Sequence, residues 1–488
     1  MKLIIMFLCG FAASIYAFAQ TNPPALSAIK EADLKKDLYE LAAAKYKGRS
    51  AGTIDELKAA MWVADKYREI GLKPGGDDGT YFQFFNMWRN VLADRSTIAI
   101  NNKSFQLWKD VAVATPANVA INAPLIYLGN AGFVDTTADV EGKVVVIEAN
   151  NAGINMSVSL PTWRYHRYIY SKHGQQFVSK GAAAIVFISD ETGELAWNDA
   201  VENYKLGSFD IEGGANENVI TKVPVLWVHA AAKSALQQSG ATLIANLVIS
   251  KFSYPSVNII GTVAGTDKNL QSGYLLYSGH TDAHGIRNNI KGDTIYYGAD
   301  DNASVNVAML ANARAFVAKP GKRPVVFVVH GAEERGLLGS RYYVAHPTIP
   351  LNNIVAVLNG DMIGRNTNDS AAVLGVQPPH RTSMDLVKMV MQANNEGPKF
   401  NLDTLWDKPS HVEGWYFRSD HLPYARLGIP SIMYTTLLHA DYHTPQDNAE
   451  NINYPKLLKM AKWMYRTGWK VANAPKRLTR EANFALEH

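Results

Sequence analysis

The chain has 488 residues, of which 47% are hydrophobic, 10% aromatic and 19% charged. That mixture supplies buried cores and excludes a disordered, collagen-like or low-complexity polymer. The formal net charge of +4 is spread without a dense basic run, which argues against a nucleic-acid-binding protein. At about 100–200 residues per domain, the length provides for two to three domains.

The first residues read as a leader. Lys2 precedes an apolar run from Leu3, and Ala17-Phe18-Ala19 forms a small-x-small cleavage pattern before Gln20. The run is short for a bilayer span, and no stop-transfer charges follow it. Residues 1–19 are therefore expected to be a signal peptide, and the mature chain to be exported, periplasmic or extracellular, with no stable membrane span. The one cysteine, Cys9, lies inside this leader, so the cleaved chain would have no disulfide and no thiolate ligand.

Next, Leu26 to Lys45 carries apolar residues at helical spacing. Gly48-Arg49-Ser50-Ala51-Gly52 breaks the pattern, and a second helix is predicted from Ile54 to Ile70, closed by Gly71. From Tyr81 to Val113 the pattern predicts short strands. Residues 107–250 change texture, with strand-like runs at 123–128, 143–148, 182–188 and 223–228 and an aromatic segment from Trp163 to Tyr170. From Tyr274 onward, apolar strands at 274–278, 324–329, 354–358 and 431–435 alternate with helical runs at 303–317, 384–394 and 454–471. The simplest architecture is one α/β domain, with a mixed, mostly parallel sheet flanked by helices, built from residues 20–106 and 251–488. A smaller β-rich module, 107–250, interrupts it.

Each apolar run of the C-terminal half ends in polar chemistry. The first leads into His280-Thr281-Asp282, the second into Glu333-Glu334 and the third into Asp361. Asp300-Asp301-Asn302 opens an Ala-rich helix, and Tyr442-His443-Thr444-Pro445 follows the last run. The carboxyl ends of strands in open α/β sheets face the ligand crevice, so unrelated segments deliver these groups to one rim. Singly, each has an ordinary role: helix-start Asp residues cap, paired glutamates sit at solvated helix starts, and strand-end histidines are hydrogen-bonded. Together, crowded carboxylates raise one another's pKa, and a divalent metal removes that cost. Two His and three acids suit zinc, with cobalt or manganese as substitutes. They are too many for one tetrahedral ion and enough for two that share a bridging carboxylate.

Five motifs in fixed order then carry a resemblance: His280-Thr281-Asp282, Gly298-Ala-Asp-Asp-Asn-Ala-Ser304, Gly331-Ala-Glu-Glu-Arg-Gly-Leu-Leu-Gly-Ser340, Asn359-Gly-Asp-Met-Ile-Gly364 and Tyr442-His-Thr-Pro-Gln-Asp447. They resemble the secreted di-zinc exopeptidases of metallopeptidase family twenty-eight, chiefly its aminopeptidases, over about 255–488 and 48–53. The resemblance implies that His280 and Asp361 are terminal ligands of one zinc, Glu334 and His443 those of the other, and Asp300 the bridge. It further implies Glu333 as general base on the bridging water, Asp282 as the acid that orients His280, and Tyr442 as the phenol that polarises the scissile carbonyl of a peptide with a free N-terminus. Val305 departs from the small residue common after Asp-Asn-Ala-Ser, on the helix and away from the ligands. Residues 124–130, 139–147, 180–186 and 223–227 are similar to a protease-associated domain.

Rival readings remain at this point. A carboxypeptidase would need cations for a terminal carboxylate, for which Arg365, Arg418 and Arg426 are candidates. A glutaminyl cyclase would use a single zinc, against which the full set of two His and three acids argues. A binding protein with a decayed site would be expected to have lost a ligand. No Gly-x-Ser-x-Gly elbow is evident, and Ser419-Asp420-His421 resembles a triad in spelling only. His330 reads as a core residue, while His284, His411 and His439 stand near the motifs without an assigned role.

Overall fold

Runs such as Val325-Val-Phe-Val-Val and Ile354-Val-Ala-Val-Leu are apolar at every position, so they need cover on both sheet faces. In the computed structural model, which describes residues 22–151, 164–215, 217–219, 221–482 and 484–486, they form the centre of a ten-stranded sheet. The leader and Trp163 lie outside the described residues. The sheet order is Asn401–Asp403, Ser370–Leu374, Ser431–Thr435, Ile354–Gly360, Tyr274–His280, Val325–His330, Ile249–Val263, Phe82–Leu92 and Ser208–Ile211, with Lys73–Pro74 beside Ile249–Val263. The four strands 431–435, 354–360, 274–280 and 325–330 are parallel, and antiparallel pairings flank them.

Alternate residues of these strands enter separate cores. Leu275, Tyr277, Val325 and Phe327 pack with helices Glu31–Leu41, Ile54–Ile70, Ser304–Ala318, Met384–Glu396 and Tyr454–Asn473. Leu276, Val326 and Val328 meet Tyr343 and Tyr424 on the opposite face. The strands run one or two residues past their predicted ends, so His280, His330 and Gly360 are the last strand residues. Parallel alignment then sets the polar residues side by side, with His280 opposite His330.

The helix Ile54–Ile70 has its predicted bounds. Thr53 Oγ1 accepts the Glu56 N–H at 3.3 Å, and Gly71 adopts φ 97° at the end. The first predicted helix is shorter than its periodicity suggests. Glu31–Leu41 is flanked by single turns at Leu26–Ala28 and Ala44–Tyr46, because Ile29 and Ala43 are extended. The region from Tyr81 holds the expected short strands at Thr97–Ile100, Lys103–Phe105 and Val111–Thr115, but opens on a long one. Phe82–Leu92 is one eleven-residue strand, stabilised by antiparallel pairing along Ile249–Val263.

A second, eight-stranded sheet has the order Lys103–Phe105, Thr97–Ile100, Thr242–Leu247, Val119–Asn130, Val144–Glu148, Ala184–Ile188, Val225–Val228 and Val111–Thr115. It begins at Thr97, ahead of the texture change at residue 107. Within the same stretch, Ser208–Ile211 returns to the edge of the main sheet beside Phe82–Leu92. Among the described residues no helix is long and apolar enough to cross a membrane.

Val305 acquires a reason in this arrangement. Its side chain packs onto two glycines at the ends of adjacent strands. A Cβ added at Gly279 would lie 2.6 Å from Val305 Cγ1, and one at Gly360 2.9 Å from it. Gly279→Ala should therefore lower stability by about 1–3 kcal/mol through overpacking. Adding Val305→Ala should recover most of that loss. Thermal or urea unfolding of the two variants checks this, and an unrelieved double variant would refute the contact as the cause.

Candidate metal centre

His280 ends strand 274–280, Asp361 follows strand 354–360, Glu333 and Glu334 follow strand 325–330, and His443 comes from the loop after strand 431–435. The fold brings all five to one rim. Two trios form there, His280–Asp301–Asp361 and His284–Glu334–His443, and in each the ligand atoms lie within 4.8 Å of one another. Asp301 stands between the trios, with Oδ1 3.2 Å from His280 Nε2 and Oδ2 3.1 Å from His443 Nε2. Glu334 contacts both histidines of its trio, His284 at 3.3 Å and His443 at 3.4 Å. Glu333 Oε2 lies 3.8 Å from His280 Nε2.

The structure puts Asp301, and not the expected bridge Asp300, between the two trios. Asp301 leaves the helical region (φ −104°, ψ 87°), and Asn302 is non-helical too, so Ser304 rather than Asp300 begins the helix. The two adjacent carboxylates consequently face different surroundings. Asp300 Oδ1 accepts the Gly364 N–H at 2.6 Å, and Oδ2 lies 3.4 Å from His439 Nε2. The rest of that motif ties the loop to the strands beneath it. Asn302 Nδ2 donates to the Gly360 carbonyl at 3.1 Å, and Asn306 Nδ2 to the His280 carbonyl at 2.6 Å.

Asp282 contacts more than the histidine it was expected to orient. His280 Nδ1 lies 3.1 Å from the Asp282 backbone carbonyl and 3.6 Å from its carboxylate. The carboxylate oxygens accept the backbone N–H groups of Glu333 at 2.9 Å and Glu334 at 3.2 Å. Asp447 does the same for the other loop, accepting the N–H groups of Asp300 at 2.8 Å and Asp301 at 3.0 Å. Buried Arg49 pins the Thr281, Tyr297 and Gly298 carbonyls between these loops. Tyr442 stacks on His443 with centroids 3.6 Å apart, and its hydroxyl accepts a hydrogen bond from Arg418 at 3.0 Å.

The remaining histidines separate. His284 joins the second trio, a position that its sequence context left without a role. His330 is buried between Asn258 and Tyr424, each 3.2 Å away, and burial lowers its pKa to about 3, so it is a neutral core residue. His411 packs on Trp406 in an outer loop. Ser419 accepts a hydrogen bond from Asn359, whereas His421 packs edge-on to Tyr416, so these two neighbours of Asp420 serve different contacts. The arginines considered for a terminal carboxylate are committed or remote. Arg365 pairs with Asp441 at 2.5 Å, Arg418 with Glu413 at 3.1 Å, and Arg426 is exposed.

The electrostatics of the rim call for positive charge. Burial drives Glu333 well above the carboxylate range; His280 opposes this, and Glu334, Asp361 and Asp420 reinforce it. Burial likewise pushes Asp361 up to about 6 and Asp420 up to about 7. Burial also opposes ionisation of Asp301, but the imidazoles of His280 and His443 outweigh it and hold its carboxyl low. His280 Nε2 and Glu334 Oε1 are buried, and what they meet are other imidazoles and carboxylates of the rim. Imidazole and carboxylate donors converging on one another at the rim fit divalent transition-metal ions. The second trio also borders a cavity of about 1040 Å³ that reaches to the helix Glu191–Leu206.

Residues 258–467 match the model of peptidase family M28. Over this segment the chain is similar to that family. It is 25% identical over 460 residues to Aminopeptidase YwaD of Bacillus subtilis (strain 168), covering 90% of this chain and 87% of that protein. It is also similar to the solved aminopeptidase from Aneurinibacillus sp. strain AM-1, with a TM-score of 0.59 at 18% identity, covering 94% of this chain and 97% of that one. For BSAP, a zinc aminopeptidase from Bacillus subtilis, the TM-score is 0.57 at 20% identity, covering 92% and 96%. At these identities the structural likeness speaks for the fold, a mixed α/β peptidase fold.

The place of Asp301 between the trios is directly measurable in this peptidase. Asp301→Ala should lower divalent-metal content at both positions, because its two oxygens face both trios. Asp300→Asn should keep the metal while losing some stability. Elemental analysis of the purified variants distinguishes them, and the reverse pattern would return the bridging position to Asp300.

Proposed function

We propose that this M28-like peptidase is an exported aminopeptidase that removes the N-terminal residue of peptides, using two zinc ions and Glu333 as general base. The observation that carries the reading is Asp301 shared between two histidine–carboxylate trios, with Glu333 beside the first. The names of the relatives, an aminopeptidase and a zinc aminopeptidase, support it. Export rests on the leader pattern at residues 1–19, and the likeness of the second sheet region to a protease-associated domain rests on its motifs.

In this reading His280, Asp301 and Asp361 would hold one zinc, and His443, Glu334 and Asp301 the other, with His284 adjacent. The ions supply Lewis acidity and bring the pKa of water down toward neutrality. Glu333 takes the proton of the attacking water and returns it to the leaving amine. Asp282 keeps His280 and the Glu333–Glu334 backbone in place. The Tyr442 hydroxyl, with Arg418 donating to its oxygen, keeps its own proton free to donate to the carbonyl as negative charge develops there. Oxygens of Glu333 and Asp361 accept hydrogen bonds from the substrate's α-ammonium.

The complete donor set favours two ions over the single ion of a cyclase, and the ion pairs made by Arg365 and Arg418 weigh against the carboxypeptidase that would use them.

Glu333→Gln should retain metal while the rate falls by about 10²–10⁴ from loss of proton transfer. Glu334→Gln should lose metal as well as rate. Parallel elemental analysis and turnover of leucine p-nitroanilide check the pair, and exchanged phenotypes would refute the assignment of roles.

Blocking the substrate amine should cost a charge-assisted contact of roughly 1.5–3 kcal/mol, about 10–150-fold, and adds bulk besides. N-acetylated leucine amides should therefore be nearly inert. Cleavage of N-blocked peptides from their C-terminus would replace the aminopeptidase reading with a carboxypeptidase.

A further inference from the structure

The large cavity borders the metal centre on one side only. His284, Glu334 and His443 line it, whereas His280, Asp361 and Glu333 do not. If the α-ammonium sits among the acids near His280, as the aminopeptidase reading requires, the part of the peptide beyond the scissile bond extends into this cavity. Its volume, about 1040 Å³, is at the upper end for pockets that enclose small ligands. Residues of the insert roof it, among them Tyr204 and Asn203 of the helix Glu191–Leu206.

Arg287, on the hairpin strand Gly285–Ile290, lines the same cavity. Its Nε is buried without a hydrogen-bond partner, and the acids that act on it, Glu334 and Glu202, do so through space without a hydrogen bond to it. Arg335 lines the cavity too, and its nearest hydrogen-bond partner is the neutral Ser50 hydroxyl at 3.2 Å. The acids of the opposite wall are engaged: Glu202 pairs with Lys205 at 2.9 Å, and Asp199 accepts from Asn288 at 3.3 Å. Burial lowers the Arg287 pKa to about 10, which leaves the guanidinium charged at neutral pH. A half-buried guanidinium whose Nε is unpaired and which makes no ion pair with Glu334 or Glu202 has room for an anion from the ligand, and a carboxylate matches its planar fork.

We propose that Arg287 binds a carboxylate on the leaving portion of the substrate, so that the enzyme prefers short peptides whose C-terminal carboxylate reaches it. The proposal rests on the aminopeptidase reading. An acidic side chain at the second substrate position presents the same chemistry, and the test separates the two sources.

The zinc-loaded enzyme is assayed with Leu-Ala, Leu-Ala-NH2 and Leu-Glu-NH2. For the wild type, kcat/KM for Leu-Ala should exceed that for Leu-Ala-NH2 by roughly 10–150-fold, the value of a charged hydrogen-bonded pair, mostly through KM. In Arg287→Gln the ratio should fall to near one, and in Arg287→Lys it should be intermediate. This ratio does not depend on the fraction of molecules folded. Recovery of the rate with Leu-Glu-NH2 assigns Arg287 to an acidic side chain, and no recovery assigns it to the C-terminus. A wild-type ratio near one, or a ratio intact in Arg287→Gln, overturns the proposal while leaving the aminopeptidase reading in place. A wild type that ignores leucine p-nitroanilide overturns that reading, and the carboxylate site with it.

Discussion

Repulsion among buried carboxylates is the constraint on which the rest of the molecule turns. Asp282, Asp301, Glu333, Glu334, Asp361 and Asp420 meet at the carboxyl ends of the parallel strands, and burial raises the proton affinity of Glu333, Asp361 and Asp420. Left to themselves such groups would protonate or spread apart. Histidines alone offset the charge only when protonated, and protonation takes away their ability to bind a metal. The pattern of acids and imidazoles is thus consistent with a folded state completed by cations, and much of the surrounding structure holds these side chains close despite their repulsion.

That holding is done largely through backbone. Asp282 accepts the N–H groups of Glu333 and Glu334, while Asp447 accepts those of Asp300 and Asp301. Each acid therefore fixes the start of a neighbouring loop, and each spends its own charge on amide dipoles. Arg49 supplies positive charge from below without contacting a ligand, because its donors are taken up by main-chain carbonyls. Val305 fixes the spacing of the strand ends beneath, where only glycine leaves room for it. The precision of the rim is therefore distributed over residues far apart in the chain.

This distribution explains what the sequence made legible. Strands such as 325–330 and 354–360 are readable because two covered faces demand unbroken apolar runs, and the polar residues that end them are readable for the same reason. Five ordered motifs likewise carried the family. The choice between Asp300 and Asp301 was not readable, because it depends on the backbone turning out of helical geometry at Asp301 and Asn302, which composition does not encode. His284 was obscure because it approaches His443 only when two distant loops close together, to 3.9 Å between ring centroids. The return of Ser208–Ile211 to the main sheet was hidden similarly, since a four-residue edge strand has too little periodicity to declare its partner.

That short strand matters for the cleft. It joins the roof to the same segment that carries Glu334: Asp210 pairs with Arg341 at 2.8 Å, and the Arg335 guanidinium lies over the Phe209 ring at 5.2 Å. Arg341 is on the helix Leu338–Ala345, which follows directly from the Glu333–Glu334 loop. The roof is thus not hinged freely from the second sheet. It is fastened to the segment that carries Glu334, so the strand Ser208–Ile211 and that segment are tied by one set of contacts. A cation at the second trio would order both together, because fixing Glu334 fixes the segment on which Arg335 and Arg341 hold the roof.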